Sequence, residues 1–180
     1  MTLVTTMILA TAPHPMRVIS VGKVVLNIGV GKSGEVLERA KQVLAEISSQ
    51  RPSTRTAKKT IRDFGIHRGE PIGICMTLRG ERADAAIRRL LEAKDRKLPG
   101  SAFDAFGNCS FGIREHIEIP GAKYKPEIGI FGLNVSVVLE RPGYRVARRK
   151  RAPSAVGPRQ RVARNEAIAY FQERFGVQVN

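Results

Sequence analysis

The sequence predicts an α+β domain, a mainly antiparallel sheet with helices packed on one face. Three observations lead there. Apolar residues alternate with period two in several segments, so each strand buries a single face. Other stretches repeat their apolar residues at helical spacing. The order runs strand, helix, strand, helix, several strands, helix, which suits a layered α+β arrangement. The chain has 180 residues, 42% of them hydrophobic, enough for one domain with a real core.

The first strand spans Val21 to Val30, with Val24, Leu26, Ile28 and Val30 on one face and Val25, Asn27 and Gly29 on the other. A glycine-rich turn, Gly29 to Gly34, follows. Ser33 is the expected N-cap of a helix whose stripe is Val36, Leu37, Ala40, Val43, Leu44 and Ile47, and Pro52 ends it. Gly65 to Gly73 reads as a loop closing into a second strand, where Ile74, Met76 and Leu78 oppose Cys75, Thr77 and Arg79. Gly80 opens a second helix that turns Ala83, Ile87, Leu90, Leu91 and Leu98 toward the core.

Phe103 to Ile113 reads as a short hairpin around Phe106-Gly107-Asn108, its second arm setting Cys109, Phe111 and Ile113 against Ser110 and Gly112. In the strand Leu133 to Arg141, residues Leu133, Val135, Val137 and Leu139 oppose Asn134, Ser136 and Val138. A last helix begins at Asn165, packs Ile168, Phe171 and Phe175, and stops at Gly176. The expected organisation is an extension at 1–13, a core at 14–140, a basic extension at 141–164 and a packed C-terminal helix at 165–180. The apolar run Met7 to Ala10 is too short to span a bilayer and no Lys or Arg precedes it, so neither a signal peptide nor a membrane segment is expected.

Charge points to the partner. Lys and Arg number 31 against 16 Asp and Glu, and the excess is clustered. One cluster is Arg51, Arg55, Lys58, Lys59 and Arg62; the other runs from Arg141 through Arg145, Arg148, Arg149, Lys150 and Arg151 to Arg164 without one acidic residue. Basic strips on a small folded body are the footprint of a polyanion, nucleic acid above all. With no Trp and 6% aromatics, the chain has few platforms for stacking single-stranded bases, which favours folded RNA held through phosphates, hydroxyls and shape. The polar face of the expected sheet carries Asn27, Cys75, Thr77, Arg79, Ser110, Asn134 and Ser136. Most of these are small, uncharged hydrogen-bonding groups that let another body approach closely. Arg141 to Arg164 has no apolar periodicity, so it is expected to be poorly ordered alone and extended along RNA.

Enzymatic readings fare worse. Gly29-x-Gly31-x-x-Gly34 matches a dinucleotide fingerprint between strand and helix, but the acidic residue expected about 20 positions on is missing. Gly31-Lys32-Ser33 echoes a phosphate loop whose first glycine would have to stand at Leu26. A nucleotide-binding enzyme built on this turn is therefore the weaker alternative, and Lys32 with nearby backbone N–H groups serves an RNA phosphate equally well. His14, His67 and His116 are scattered and read as surface or loop residues. Cys75 and Cys109 fall outside metal-ligand spacing, which suits a reducing compartment and argues against zinc. No catalytic residue, metal or cofactor is expected.

Specific motifs carry a resemblance. They are Val24 to Gly31, Lys58-Lys59-Thr60-Ile61-Arg62-Asp63-Phe64-Gly65, Gly69-Glu70-Pro71-Ile72-Gly73, Thr77-Leu78-Arg79-Gly80 and Phe103-Asp104-x-x-Gly107-Asn108. In this order, from about Pro15 onward, the chain resembles the universal large-subunit ribosomal protein number five family, which holds 5S ribosomal RNA. Ile128 to Gly132 and Glu140 to Tyr144, with the basic tail, resemble its archaeal and eukaryotic branch. The resemblance implies a non-enzymatic cytoplasmic protein of the ribosome. It matches Asn27, Gln50 and Thr77 to positions that bind 5S RNA on the open sheet face; Lys32 and Arg79 join them from the reading above.

Ser49 stands where the family usually has glycine, which leaves the Gln50 amide in place. The segment Arg55 to Arg68, with Lys58, Lys59 and Arg62, corresponds to a loop reaching transfer RNA in the peptidyl site, and His67 replaces a more usual Lys or Arg there. Arg145, Arg148, Arg149, Lys150 and Arg151 are the expected contacts to large-subunit ribosomal RNA. Implied protein neighbours are large-subunit ribosomal protein number eighteen and small-subunit ribosomal protein number thirteen.

Overall fold

Strong alternation in the first strand is realised as β1 (Ser20–Gly29), the centre of a five-stranded antiparallel sheet. The computed structural model describes residues 14–48, 50–122 and 124–180; the expected 1–13 extension and the Ser49 position lie outside them. The sheet order is β2 (Ser53–Thr56), β3 (Pro71–Leu78), β1, β6 (Leu133–Glu140), β5 (Cys109–Ile113). Val24, Leu26, Ile28, Ile74, Met76, Leu78, Val135, Val137 and Leu139 all project to the buried side. There they meet α1 (Glu35–Ser48), through Leu37, Ala40, Val43, Leu44 and Ile47, and α2 (Glu81–Glu92), through Ala83, Ile87, Leu90 and Leu91. One continuous apolar cluster fills the space between sheet and helices.

Several expectations change. The first strand begins at Ser20 and ends at Gly29, with a bulge between Val21 and Lys23. Ser33 does not cap α1, because its hydroxyl donates to Glu70 Oε1 at 2.7 Å; Gly34 O instead accepts from Leu37 and Glu38 N–H. Val36 is 44% exposed and leaves the stripe. Leu98 is buried, but from β4 (Lys97–Leu98), which pairs in parallel with β7 (Gln178–Val179) beneath the last helix. The hairpin's first arm reduces to a single bridge, Phe103 to Cys109. His116 is buried, not a surface residue: its N–H donates to Phe131 O and its Nδ1 accepts from Phe131 N–H, while burial pushes its pKa down.

The largest correction concerns the basic segment after β6. Rather than extending freely, it folds back as a short turn of helix, α3 (Arg145–Arg148), and returns to the core at Val162, which is 1% exposed. Arg141 is buried and pairs with Glu166 at 2.7 Å, and the Gln160 side chain donates to Met16 O and Pro142 O. The last helix, α4 (Arg164–Phe175), then docks Ala167, Phe171 and Phe175 on the core, with Phe103 edge-on to Phe171 at 5.3 Å. It ends at Gly176, whose φ of 65° supplies the left-handed stop.

Candidate nucleic-acid interface

Because strands alternate, fixing one side of the sheet to the helices turns the other side outward. Strand register makes that open side a grid. One row across it is Ser53, Cys75, Asn27, Asn134 and Gly112; the next is Thr77, Val25, Ser136 and Ser110. A third, toward the sheet's other end, is Arg55, Gly73 and Gly29. No carboxylate stands in these rows. The residues are small, and Ser110 Oγ donates to Ser136 Oγ at 3.2 Å, so the floor is low and polar. Cys75 occupies its row as expected but is only 8% exposed.

Of the five residues expected to bind 5S RNA, the structure gathers three in one concavity. Gln50, Thr77 and Arg79 line it together with Glu81 and Arg82, around about 770 Å³ of open space. Asn27 lies one row away. Arg79 follows the end of β3, and its Nη1 donates to Gly22 O at 3.3 Å, so part of its fork steadies the β1 bulge. Lys32 is apart from this group, beyond the Gly29–Gly73 end of the sheet. The sequence reading missed Arg82, hidden in a helical first turn, and Ser53, whose edge strand sits among basic residues. The signal for that strand was Ser53-Thr54-Arg55-Thr56, rich in β-favouring Thr.

The second basic region also differs in detail. Arg55 belongs to β2, opposite Gly73, and therefore to the sheet rather than to the loop. The loop proper is tied at its neck: Ala57 N–H donates to Glu70 O at 2.8 Å and Gly69 N–H to Ala57 O at 2.9 Å. Farther out Ile61 bridges Ile66, and Arg68 N–H donates to Thr60 Oγ1. The Glu70 carboxylate accepts from His67 N–H and the Ser33 hydroxyl, and those bonds, His67 first, hold its pKa below the usual range. Lys58, Lys59, Arg62 and Arg68 are left exposed on this hydrogen-bonded frame, with Phe64 72% exposed at its tip.

In the tail, Arg145, Arg148, Arg149, Lys150 and Arg151 are all exposed. Two are partly engaged, Arg148 with Glu140 and Arg149 Nε with Ala152 O.

The glycine turn fits neither nucleotide motif. Both neighbours of β1 are antiparallel, so there is no parallel crossover to form a dinucleotide crevice. Val30 and Gly31 N–H both donate to Ile72 O, so they are unavailable to a phosphate. Cys109 is buried, and burial with the nearby Asp104 charge pushes its thiol up to about 12. Among the described residues no group of three or more His, Cys, Asp or Glu could hold a metal ion, and no helix is long and apolar enough to cross a membrane.

A helix-backed antiparallel sheet whose free face has low, polar central rows without a carboxylate, with Glu140 at the end of β6 paired to Arg148, and is flanked by two basic excursions, defines an RNA-docking α+β protein. The chain belongs to the ribosomal protein L5 family, in its archaeal and eukaryotic-type branch: the family model "Ribosomal protein L5" matches residues 14–67, and the companion model for the family's C-terminus matches residues 71–169. It is 53% identical over 169 residues to large ribosomal subunit protein uL5 of Nitrosopumilus maritimus, covering 94% of this chain and 98% of that one. The protein of the same name from Pyrobaculum aerophilum is 51% identical, with 93% of each chain covered. That from Methanobrevibacter smithii is 44% identical, covering 91% of this chain and 96% of the relative. Membership makes the chain a structural, RNA-binding protein of the large ribosomal subunit and not an enzyme.

Proposed function

We propose that the chain holds 5S ribosomal RNA on its open sheet face, anchors it to large-subunit ribosomal RNA through the basic excursion, and touches peptidyl-site transfer RNA with the loop after β2. The central rows of the grid, which hold no carboxylate, carry this reading. RNA helices expose hydroxyls and base edges in a shallow minor groove, and a floor of Ser, Thr, Asn and Gly can approach it without long side chains intervening. Gln50, Thr77 and Arg79 supply one hydrogen-bonding corner and Asn27 the adjacent row. The site of action is the cytoplasmic ribosome, with large-subunit protein number eighteen and small-subunit protein number thirteen as neighbours.

Asn27→Ala and Thr77→Ala are each expected to weaken 5S RNA binding by about 0.5–1.5 kcal/mol, one hydrogen bond apiece. Both side chains leave the sheet away from the core, so thermal stability should move by only about 0.5 kcal/mol. Filter binding across a salt series is the measurement; the wild-type slope should grow by roughly 0.7–0.9 per phosphate neutralised. Unchanged affinity in both variants would remove the open face from the proposal.

Lys58→Ala with Lys59→Ala should leave incorporation into large subunits normal and loosen peptidyl-site transfer RNA. Phosphate contacts position a ligand without reading its sequence, which suits a site that accepts every transfer RNA in turn. The effect should be modest, because exposed charges are screened. Footprinting of variant ribosomes decides: intact transfer RNA protection with 5S RNA lost would assign the loop to the wrong partner.

A further inference from the structure

Phe106 presents an unusual combination of exposure and rigidity. Its turn is clamped by Asp104, whose Oδ1 accepts from Phe106 N–H at 2.9 Å and Asn108 N–H at 2.7 Å, while Oδ2 accepts from the Asn108 amide at 2.7 Å. Gly107, at φ 74°, presses on Val162 so closely that a Cβ there would lie 2.7 Å from Val162 Cγ1. The ring on this turn is nonetheless 58% exposed. It borders an open cavity of about 370 Å³, enclosed by Asn108, Val138, Tyr144, Val156 and Arg161. The Arg161 guanidinium sits 5.8 Å from the Phe106 centroid, and its Nε donates to Val156 O at 3.1 Å.

A preformed apolar slot with an aromatic wall and a fixed guanidinium is the recognition chemistry of a nucleobase. We infer that this cavity takes one unpaired RNA base, stacked against Phe106 and flanked by Arg161. The inference rests on the RNA-binding reading above and adds a base-specific subsite to it.

Charge complementarity selects an RNA strand as the occupant over an apolar protein side chain. The excursion that walls the cavity brings Arg145, Arg148, Arg149, Lys150 and Arg151 with it, all exposed, to hold the phosphates on either side of the inserted base. The one carboxylate at the rim, Glu140, is paired with Arg148. The Asn108 amide nitrogen is committed to Asp104, which leaves its carbonyl oxygen to accept from an exocyclic amino group of the base. Tyr144 holds the far wall: its hydroxyl donates to Gln160 O and accepts from Val162 N–H.

The test uses the full chain and two fluorescein-labelled probes of equal length and charge, an adenosine octaribonucleotide and an abasic octamer, read by anisotropy. Wild type should prefer the adenosine octamer by roughly ten- to a hundredfold, the range base–aromatic stacking supplies. Phe106→Ala should erase that preference while keeping affinity for the abasic probe, and Phe106→Tyr should retain it. Equal binding of both octamers by wild type overturns the inference, and so does a preference that survives Phe106→Ala. Binding of 5S RNA to Phe106→Ala is measured alongside. Loss of 5S binding in wild type itself would count against the open-face proposal and leave the octamer comparison readable.

Discussion

Ser136→Glu is expected to abolish 5S RNA binding while the protein stays folded. Ser136 lies mid-row on the open face, between Val25 of β1 and Ser110 of β5, with Thr77 beyond Val25. Its neighbours along β6, Val135 and Val137, carry the core and are untouched by the change. The new carboxylate would stand where the grid offers no acidic group and where RNA phosphates must come close. Like charges brought together across an interface cost several kcal/mol, so affinity should fall more than a hundredfold.

Two effects are superposed in that variant, bulk and charge, and Ser136→Gln separates them. Glutamine has nearly the same volume and can still donate and accept, so a loss of roughly tenfold would be the steric share. Melting temperature should be nearly unchanged for both, since a substitution on this outward face moves stability by about 0.5 kcal/mol. Should Ser136→Glu bind 5S RNA within a few-fold of wild type, the open sheet is not where the RNA docks.

The parts of this fold that were legible in the sequence are those whose burial is decided locally. Alternation in β1, β3 and β6 gave both the core face and the polar face, because period two leaves no freedom once one side is apolar. The same pattern, without any structure, placed Asn27, Thr77, Ser110, Asn134 and Ser136 together. Positions decided by distant partners were not legible. Ser53-Thr54-Arg55-Thr56 is exposed at every residue, so β2 has no alternating burial to reveal it and exists through pairing with β3. Leu98 continues the apolar spacing of α2 but is recruited by β7, some 80 residues on. Ser33 had the chemistry of a cap, and Glu70 across the loop neck offered its hydroxyl a charged acceptor instead. In the candidate site, Gln50 and Thr77 were recognisable one by one, whereas Arg82 joins them only because α2 starts directly beneath the end of β3.

Arg141→Ala is expected to destabilise the protein by about 2–3 kcal/mol and to release the basic excursion. From the end of β6 this one guanidinium reaches three acceptors: Arg159 O and Arg161 O, both at 3.3 Å, and Glu166 Oε1 at 2.7 Å. It thereby ties the last core strand to the returning limb and to the first turn of α4. Truncation strands two carbonyls and removes the buried half of an ion pair. Glu166 remains 44% exposed and can be rehydrated, which keeps the loss below that of a fully buried pair.

Arg141→Lys should rescue little, because an ammonium lacks the planar fork that spans separate acceptors. The melting temperature should fall by roughly 5–10 °C. Hydrogen exchange should show protection lost from Arg145 to Val162 and kept in β1 and β6. Acid pH probes the same junction. Glu166 is held below the usual carboxylate range first by Ala163 N–H and then by Arg141, so its contribution is present above its unfolded value and disappears as pH falls through its lower folded one. Because the Ala163 bond survives truncation, Arg141→Ala should lower stability at neutral pH far more than it moves the acid limb. Unaltered melting and unaltered exchange would mean that the excursion is not pinned by this residue, and that the free extension expected from its composition describes it better.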